Sequence, residues 1–353
     1  MSTELRALLG DTVTRLFTDL ATKDLVESAE RGMWPDKLWR ALEEGGLTLP
    51  LVPEAQGGAG GSWLDAHVVV RAAGHHTAPV PLAETIVASA LLSGAGLDVP
   101  LGPLTIAPVR QGETLTLARA GGGFQLNGRA TRVPWGAAAG HVAVLAQADG
   151  AEMIALVARD AARVTADRNL ALEPRDTLTF DGAPVLAAVP AGAGVSARTL
   201  LLYGALVRSA QMAGAIESLL QQSVRYTTER RQFGRPIGSF QAVQHNLAVL
   251  AGHAAAAGIA AERAFAAADS GNLAFHVAAA KIRAGEAAGI AAGLAHQAHG
   301  AIGFTYEHSL HFATRRLWSW RAEFGGESHW AAELGRHVTA RGAGALWPDL
   351  TAR

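Results

Sequence analysis

The sequence predicts a mostly α-helical protein with a central antiparallel β domain, in the order helices, strands, helical bundle. Three observations predict it. Apolar residues recur every three or four positions near both ends, the period shortens to two in between, and Gly, Pro, Asn and Asp cluster where the period changes. The expected domains are 1–97, 98–194 and 195–353, and a chain of 353 residues is long enough to bury a substantial core.

The first domain opens with Leu16, Leu20, Leu25, Leu38 and Leu42 at helical spacing among charged residues, with Pro35 where a new helix can begin. Two or three amphipathic helices follow from this. A loop carrying Pro50, Pro53, Gly57, Gly58, Gly60 and Gly61 comes next. Glycine-rich loops cradle phosphate when they follow a strand of a parallel sheet, and the neighbours here are helical, so no phosphate site is expected. Residues 63–74 and 82–92 read as further helices around the Pro79-Val80-Pro81 corner. Short alternating runs at 115–117, 124–126, 141–146, 153–157 and 178–180, parted by turn residues, predict the antiparallel domain, drawn as a small barrel.

In the third domain Leu202, Leu206, Ala210, Ala213, Ile216, Leu220 and Val224 make one apolar face of a helix of about eight turns. Long helices at 242–269 and 273–299 are parted at Asp269-Ser270-Gly271-Asn272. Gly285, Gly289 and Gly293 are expected to let helix axes approach closely. Two more helices are expected at 306–320 and 330–341.

Composition narrows the function. Thirty Lys plus Arg against 31 Asp plus Glu leave a net charge of -1, so nothing in the charge balance calls for nucleic acid or an anionic membrane. The absence of cysteine removes disulfides, thiolate catalysis and Cys-ligated metals, and fits a reducing cytoplasm. The first 20 residues lack the basic start and apolar run of a signal peptide, and no apolar run reaches the ~18 residues of a membrane span. A cytoplasmic location is expected. The 13 histidines include the pairs His75-His76, His296 with His299 and His308 with His311, but no third ligand accompanies any pair, so no metal site is expected.

One stretch stands apart: Arg230-Arg231-Gln232-Phe233-Gly234-Arg235-Pro236-Ile237-Gly238-Ser239-Phe240-Gln241, between two long helical patterns. A turn needs Gly and Pro; it does not need three guanidinium forks suited to phosphate or carboxylate oxygens. Residue types alone leave anion binding and a solvated loop both open.

This stretch, with Gln297, His299-Gly300 and Ile302-Gly303-Phe304-Thr305 further on, resembles the acyl-CoA dehydrogenase family. Glu44-Gly45-Gly46-Leu47, Val52-Pro53-Glu54 and Gly57-Gly58-Ala59-Gly60 are similar to that family's N-terminal signature. Asn127-Gly128-Arg129 and Ala143-Val144-Leu145-Ala146 are similar to its middle domain. The resemblance implies a helical domain, a β-barrel and a four-helix bundle. It further implies flavin adenine dinucleotide (FAD) bound between subunits, an acyl-CoA thioester substrate, a homo- or hetero-oligomer (dimer or tetramer) with a related subunit, and an electron-transfer flavoprotein as redox partner. Its reaction removes an α-proton from the thioester and passes a hydride from the β-carbon to the flavin, in fatty acid or steroid side-chain catabolism. Carried over, Arg230 pairs with the FAD pyrophosphate of a neighbouring chain and Phe233 lies beside it. Gln241 reaches the adenosine end, and Gln297, Gly300 and Gly303 reach the pyrophosphate and ribityl part.

The chain departs from the family where a subunit binds its own flavin and substrate. The family's Thr-Glu-Pro-x-Ala-Gly-Ser-Asp segment falls at 104–114, where a proline and a glycine survive. Pro134 stands where a threonine would bond the flavin, and proline has no N–H or hydroxyl. At the two positions where the family carries its base stand Phe324 or Gly325, depending on the count, and a residue near Gly204. The carboxylates Glu323 and Glu327 lie one to three residues away, and Glu323 is the candidate base. The pattern resembles the base-lacking subunits of heteromeric acyl-CoA dehydrogenases. The alternatives are a homo-oligomeric dehydrogenase with a displaced base, a flavin monooxygenase on the same fold, and a helical protein without cofactor. Trp318 and Trp320 are candidates for an acyl pocket or for plain packing.

Overall fold

The computed structural model describes residues 2–270 and 273–351. Helices α1 (Thr3–Leu20) and α2 (Lys23–Glu30) start on Ser2 and Thr22, whose hydroxyls accept from Leu5 N and Leu25 N. Pro35 caps α3 (Asp36–Glu44), as its position predicts. The Gly57–Gly61 loop turns back on itself, and a Cβ on Gly58 would lie 2.1 Å from the Val52 carbonyl. Its glycines are thus needed for close backbone approach. A reciprocal capping box between Ser62 and Asp65 starts α4 (Trp63–His75), and α5 (Leu82–Gly94) is buried on nearly every side.

The chain then crosses into the sheet with β1 (Leu104–Ala107), β2 (Thr116–Ala120), β3 (Gly123–Pro134), β4 (His141–Ala148) and β5 (Ala151–Ala158). It continues through β6 (Arg163–Thr165), β7 (Arg175–Pro184) and β8 (Ala187–Pro190). The strand order is β6-β7-β3-β2-β4-β5-β8, with β1 laid parallel on β4. This corrects the expected barrel: the pairings leave the sheet open, between a three-residue and a four-residue edge strand. It is also not purely antiparallel, since β2 meets β4 in parallel at Thr116 and Gln147. Strand β1 escaped the sequence reading because all four of its residues are buried and so do not alternate.

Helix α6 (Ala197–Glu229) runs 33 residues, about nine turns. A hairpin of β9 (Arg231–Gln232) and β10 (Arg235–Pro236) links it to α7 (Gln241–Ser270), followed by α8 (Leu273–His299), α9 (Leu310–Ala322), α10 (Glu327–Arg341) and α11 (Ala343–Thr351). The break expected at 269–272 follows the end of α7, although Gly271 and Asn272 lie outside the described residues. Helix α9 begins later than expected because 305–309 form bends and turns after a 3₁₀ turn at 300–304, α10 begins earlier, and α11 was not foreseen.

The tight helix approach lies elsewhere than predicted. A Cβ on Gly285 would meet the Glu327 carboxylate and one on Gly289 the Arg321 guanidinium, while Gly293 faces open space. Backbone meets backbone instead where α4 crosses α6. A Cβ on Gly74 would lie 2.2 Å from Gln211 O, and one on Gly214 would lie 2.0 Å from Arg71 O. Gly214→Ala is therefore expected to destabilise the chain by about 1–3 kcal/mol in urea unfolding. Gly252→Ala, with nothing within 4 Å of the added methyl, is expected to be neutral or stabilising. Equal midpoints for the two variants would refute the crossing.

Candidate functional site

A cavity of about 390 Å³ opens between the sheet and the bundle, lined among others by Arg110, Pro134, Leu201, Glu323, Phe324 and His329. Both middle-domain segments that the resemblance assigns to flavin contact reach this cavity. Neither offers a free hydroxyl at the expected point. Pro134 has none, and Thr131 spends its N–H and hydroxyl on Glu113.

The structure brings Phe324, one of the two residues counted for the family's base, against Gly204, the neighbourhood of the other base position. A Cβ on Gly204 would lie 2.1 Å from Cδ1 of Phe324, so the phenyl group occupies the space any side chain at 204 would need. Phe324 sits at φ 53°, a left-handed conformation costly for an aromatic residue. The turn holds because Trp330 Nε1 donates to Phe324 O at 3.0 Å and Lys281 Nζ donates to the carbonyls of Trp320, Arg321 and Gly325.

Glu323 reaches the cavity wall already engaged. Its carboxylate accepts from Arg175 Nε at 2.7 Å, Arg208 Nε at 2.8 Å and Asn169 Nδ2 at 3.2 Å. Burial alone would raise the Glu323 pKa; the guanidiniums of Arg175 and then Arg208 overcome it and hold the group at about 2. A carboxylate held so low is a feeble proton acceptor at neutral pH. The other acid near the base position, Glu327, turns to Arg321 Nε at 2.5 Å, against Gly285. The tryptophans divide. Trp320 is buried and donates to Glu173 at 2.9 Å, whereas Trp318 is half exposed under Arg321.

Sequence reasoning missed Arg208, Arg175, Glu84 and Glu173, the groups that fix Glu323. A signal was present. Arg208 falls four residues after Gly204 as the lone charge in the largely apolar run 200–216, where an unpaired charge would be prohibitive.

The C-terminal candidates form a separate surface at one end of the bundle. Tyr226 near the end of α6 stacks on His299 at the end of α8, with ring centroids 4.6 Å apart, so the two motif strings emerge side by side. Gln232 pairs with Arg235 across a two-residue turn, Phe233 at φ 51° and Gly234 at φ 79°, the conformation hairpins favour. Phe233 stands at its tip, 91% exposed, and Arg235 lies over the Phe240 ring at 4.2 Å. Arg230 is exposed and makes no ion pair among the described residues; Gln241 and Gln297 are exposed too. Gly300 has φ 61°, which glycine adopts without strain. Gly303 is buried, and a Cβ there would lie 2.9 Å from His299 Cβ, so packing suffices to require glycine at that position.

These two places fit FAD differently. The bundle end, with an uncommitted guanidinium beside a glycine turn, suits a pyrophosphate. The cavity has Pro134 in place of the hydroxyl that the resemblance expects, and the Phe324 ring takes up another wall.

Because Glu323 sits below its ordinary 4.5 when folded, its contribution to stability is complete above about pH 4.5 and is lost as pH falls toward 2. Glu323→Gln leaves Arg175 and Arg208 short of charge and is expected to cost about 3–5 kcal/mol at pH 7. Its urea midpoint should also vary less than the parent's between pH 4.5 and 2. An unchanged midpoint at pH 7 would refute the clamp.

Comparisons with known proteins agree with this architecture. The family description "Acyl-CoA dehydrogenase, N-terminal domain" matches residues 3–96, and "Acyl-CoA dehydrogenase, C-terminal domain" matches residues 191–327. The chain is 31% identical over 320 residues to acyl-CoA dehydrogenase IpdE2 of Mycobacterium tuberculosis, covering 89% of this chain and 91% of that one. It is 34% identical over 320 residues to acyl-CoA dehydrogenase FadE34 of the same organism, covering 86% of this chain and 42% of that one. Among solved structures, the ChsE4-ChsE5 complex of Mycobacterium tuberculosis superposes with a TM-score of 0.86 at 29% identity, over 96% of this chain and 98% of that one. A variant of the Tcur3481-Tcur3483 steroid ACAD gives 0.86 at 27% over the same shares. No helix among the described residues is long and apolar enough to cross a membrane. The matched ends, the IpdE2 relative and the shared fold together show that this chain belongs to the acyl-CoA dehydrogenase family of oxidoreductases.

Proposed function

We propose that this chain is a subunit of a heteromeric acyl-CoA dehydrogenase that completes the FAD site of a partner chain and does not itself abstract the substrate proton. One observation carries the reading: Phe324, one of the two residues counted for the family's base, packs on Gly204, in the neighbourhood of the other base position, and the adjacent carboxylate, Glu323, is clamped by Arg175 and Arg208. The exposed bundle end supports the other half. Bound FAD would supply the hydride acceptor. Arg230 would neutralise its pyrophosphate, Phe233 would cover it, and Gln241, Gln297 and the backbone of Gly300 would orient it. Likeness to the ChsE4-ChsE5 complex and to a steroid ACAD supports a partner of the same family and a steroid-type acyl-CoA thioester. An electron-transfer flavoprotein is the redox partner on this reading, and a cytoplasmic setting accords with the lack of cysteine.

Expression alone and together with a candidate partner tests the proposal. The isolated chain should retain little FAD and show no acyl-CoA dehydrogenation or oxygen consumption, and the complex should have both FAD and turnover. Full flavin and robust turnover from the isolated chain would overturn it. Within the complex, Arg230→Ala should lower FAD retention at least ten-fold while subunit stoichiometry by light scattering is preserved. Retention equal to the parent complex would remove Arg230 from the site.

A further inference from the structure

A second cleft, of about 600 Å³, opens where the three domains meet and shares no lining residue with the cavity at Glu323. Leu91 and Trp63 reach it from the N-terminal helices, Ile154 from β5, Val195 and Tyr203 from α6 and the segment before it, and Asp269 from the end of α7. Ligand sites favour such domain junctions and such volumes.

Asp269 supplies the sole charged side chain of this lining, and its carboxylate is occupied, accepting from Trp63 N at 2.9 Å and Leu64 N at 3.3 Å. Two other polar groups are partly engaged: Ser93 donates to Gln56, and Thr199 accepts from Ser196 N through its hydroxyl oxygen. The Tyr203 hydroxyl is different, for it makes no hydrogen bond among the described residues. Its ring stacks on Trp63 with centroids 4.8 Å apart and planes 12° from parallel, which builds a flat aromatic surface into an otherwise aliphatic wall.

We propose that this junction cleft binds an uncharged, largely apolar ring-bearing ligand that packs against the Trp63–Tyr203 pair and hydrogen-bonds the Tyr203 hydroxyl. No cationic group lines the wall to recognise an anion, and the Tyr203 hydroxyl is left for a polar substituent. The site is independent of the FAD surface at Arg230 and of the partner reading.

Equilibrium dialysis of 2-naphthol against the full-length chain at neutral pH provides the test, with naphthalene-2-sulfonate as the charged counterpart. Saturable binding of the naphthol, at least ten-fold tighter than the sulfonate, is expected. Ala90→Trp, on the half-exposed cleft side of α5, should abolish it with circular dichroism and Tm unchanged. Tyr203→Phe keeps the ring and should weaken binding about five-fold, the worth of one hydrogen bond, which decides the matter if the bulkier variant does not fold. Absence of saturable binding, equal affinity for the sulfonate, or binding untouched by Tyr203→Phe would overturn the proposal.

Discussion

The arrangement of the three domains depends on a buried ladder of alternating charges. It runs Glu84, Arg208, Glu323, Arg175, Glu173, Arg316, Glu30 and Arg315, with successive contacts of 2.6, 2.8, 2.7, 2.9, 3.2, 3.7 and 2.7 Å. Four carboxylates meet four guanidiniums, so the ladder is neutral as a whole. Each member is costly to bury alone, and each meets an opposite charge on the next. Glu84 and Glu30 come from the N-terminal helices, Glu173 and Arg175 from the sheet's last hairpin, and the rest from the bundle. The ladder therefore fixes the domains to one another beside Phe324 and Gly204, where the resemblance expects the family's base.

That location explains what was and was not legible in the sequence. Element order and type were readable because α6, α7 and α8 are long and periodic, and because β3, β4 and β5 are bounded by turn residues. The open sheet was not, since closure depends on edge pairing that no local pattern encodes. The C-terminal site candidates were readable as motifs because a hairpin tip and a glycine turn are local devices. Glu323 was readable as a carboxylate but not as a clamped one. Its partners lie 148 and 115 residues away, and long-range ion pairs leave no periodic trace.

Local strain marks the two functional regions in opposite senses. Phe233 accepts a left-handed backbone to present its ring outward, with Phe240 edge-on to it. Phe324 accepts the same conformation to press its ring inward against Gly204. An aromatic residue at positive φ persists when the surroundings over-determine it. Around Phe324 they do, through Trp330, Lys281 and the Arg208 guanidinium 5.5 Å from the ring. Around Phe233 the two-residue hairpin and an edge-on contact with Phe240, 6.1 Å between ring centroids, hold the turn.

The turn that carries Phe324 is held from several sides. Burial pushes the Lys281 amine down to about 7, yet three carbonyl oxygens receive its N–H bonds and fix the turn from Trp320 to Gly325. A carboxylate placed at Phe324 would enter beside Arg208, which already binds Glu84 and Glu323, and would be drawn into the ladder as Glu323 is. Its affinity for a proton would fall for the same reason. A carboxylate at position 324 would thus compete with Glu84 and Glu323 for the guanidinium that joins the N-terminal helices to the bundle.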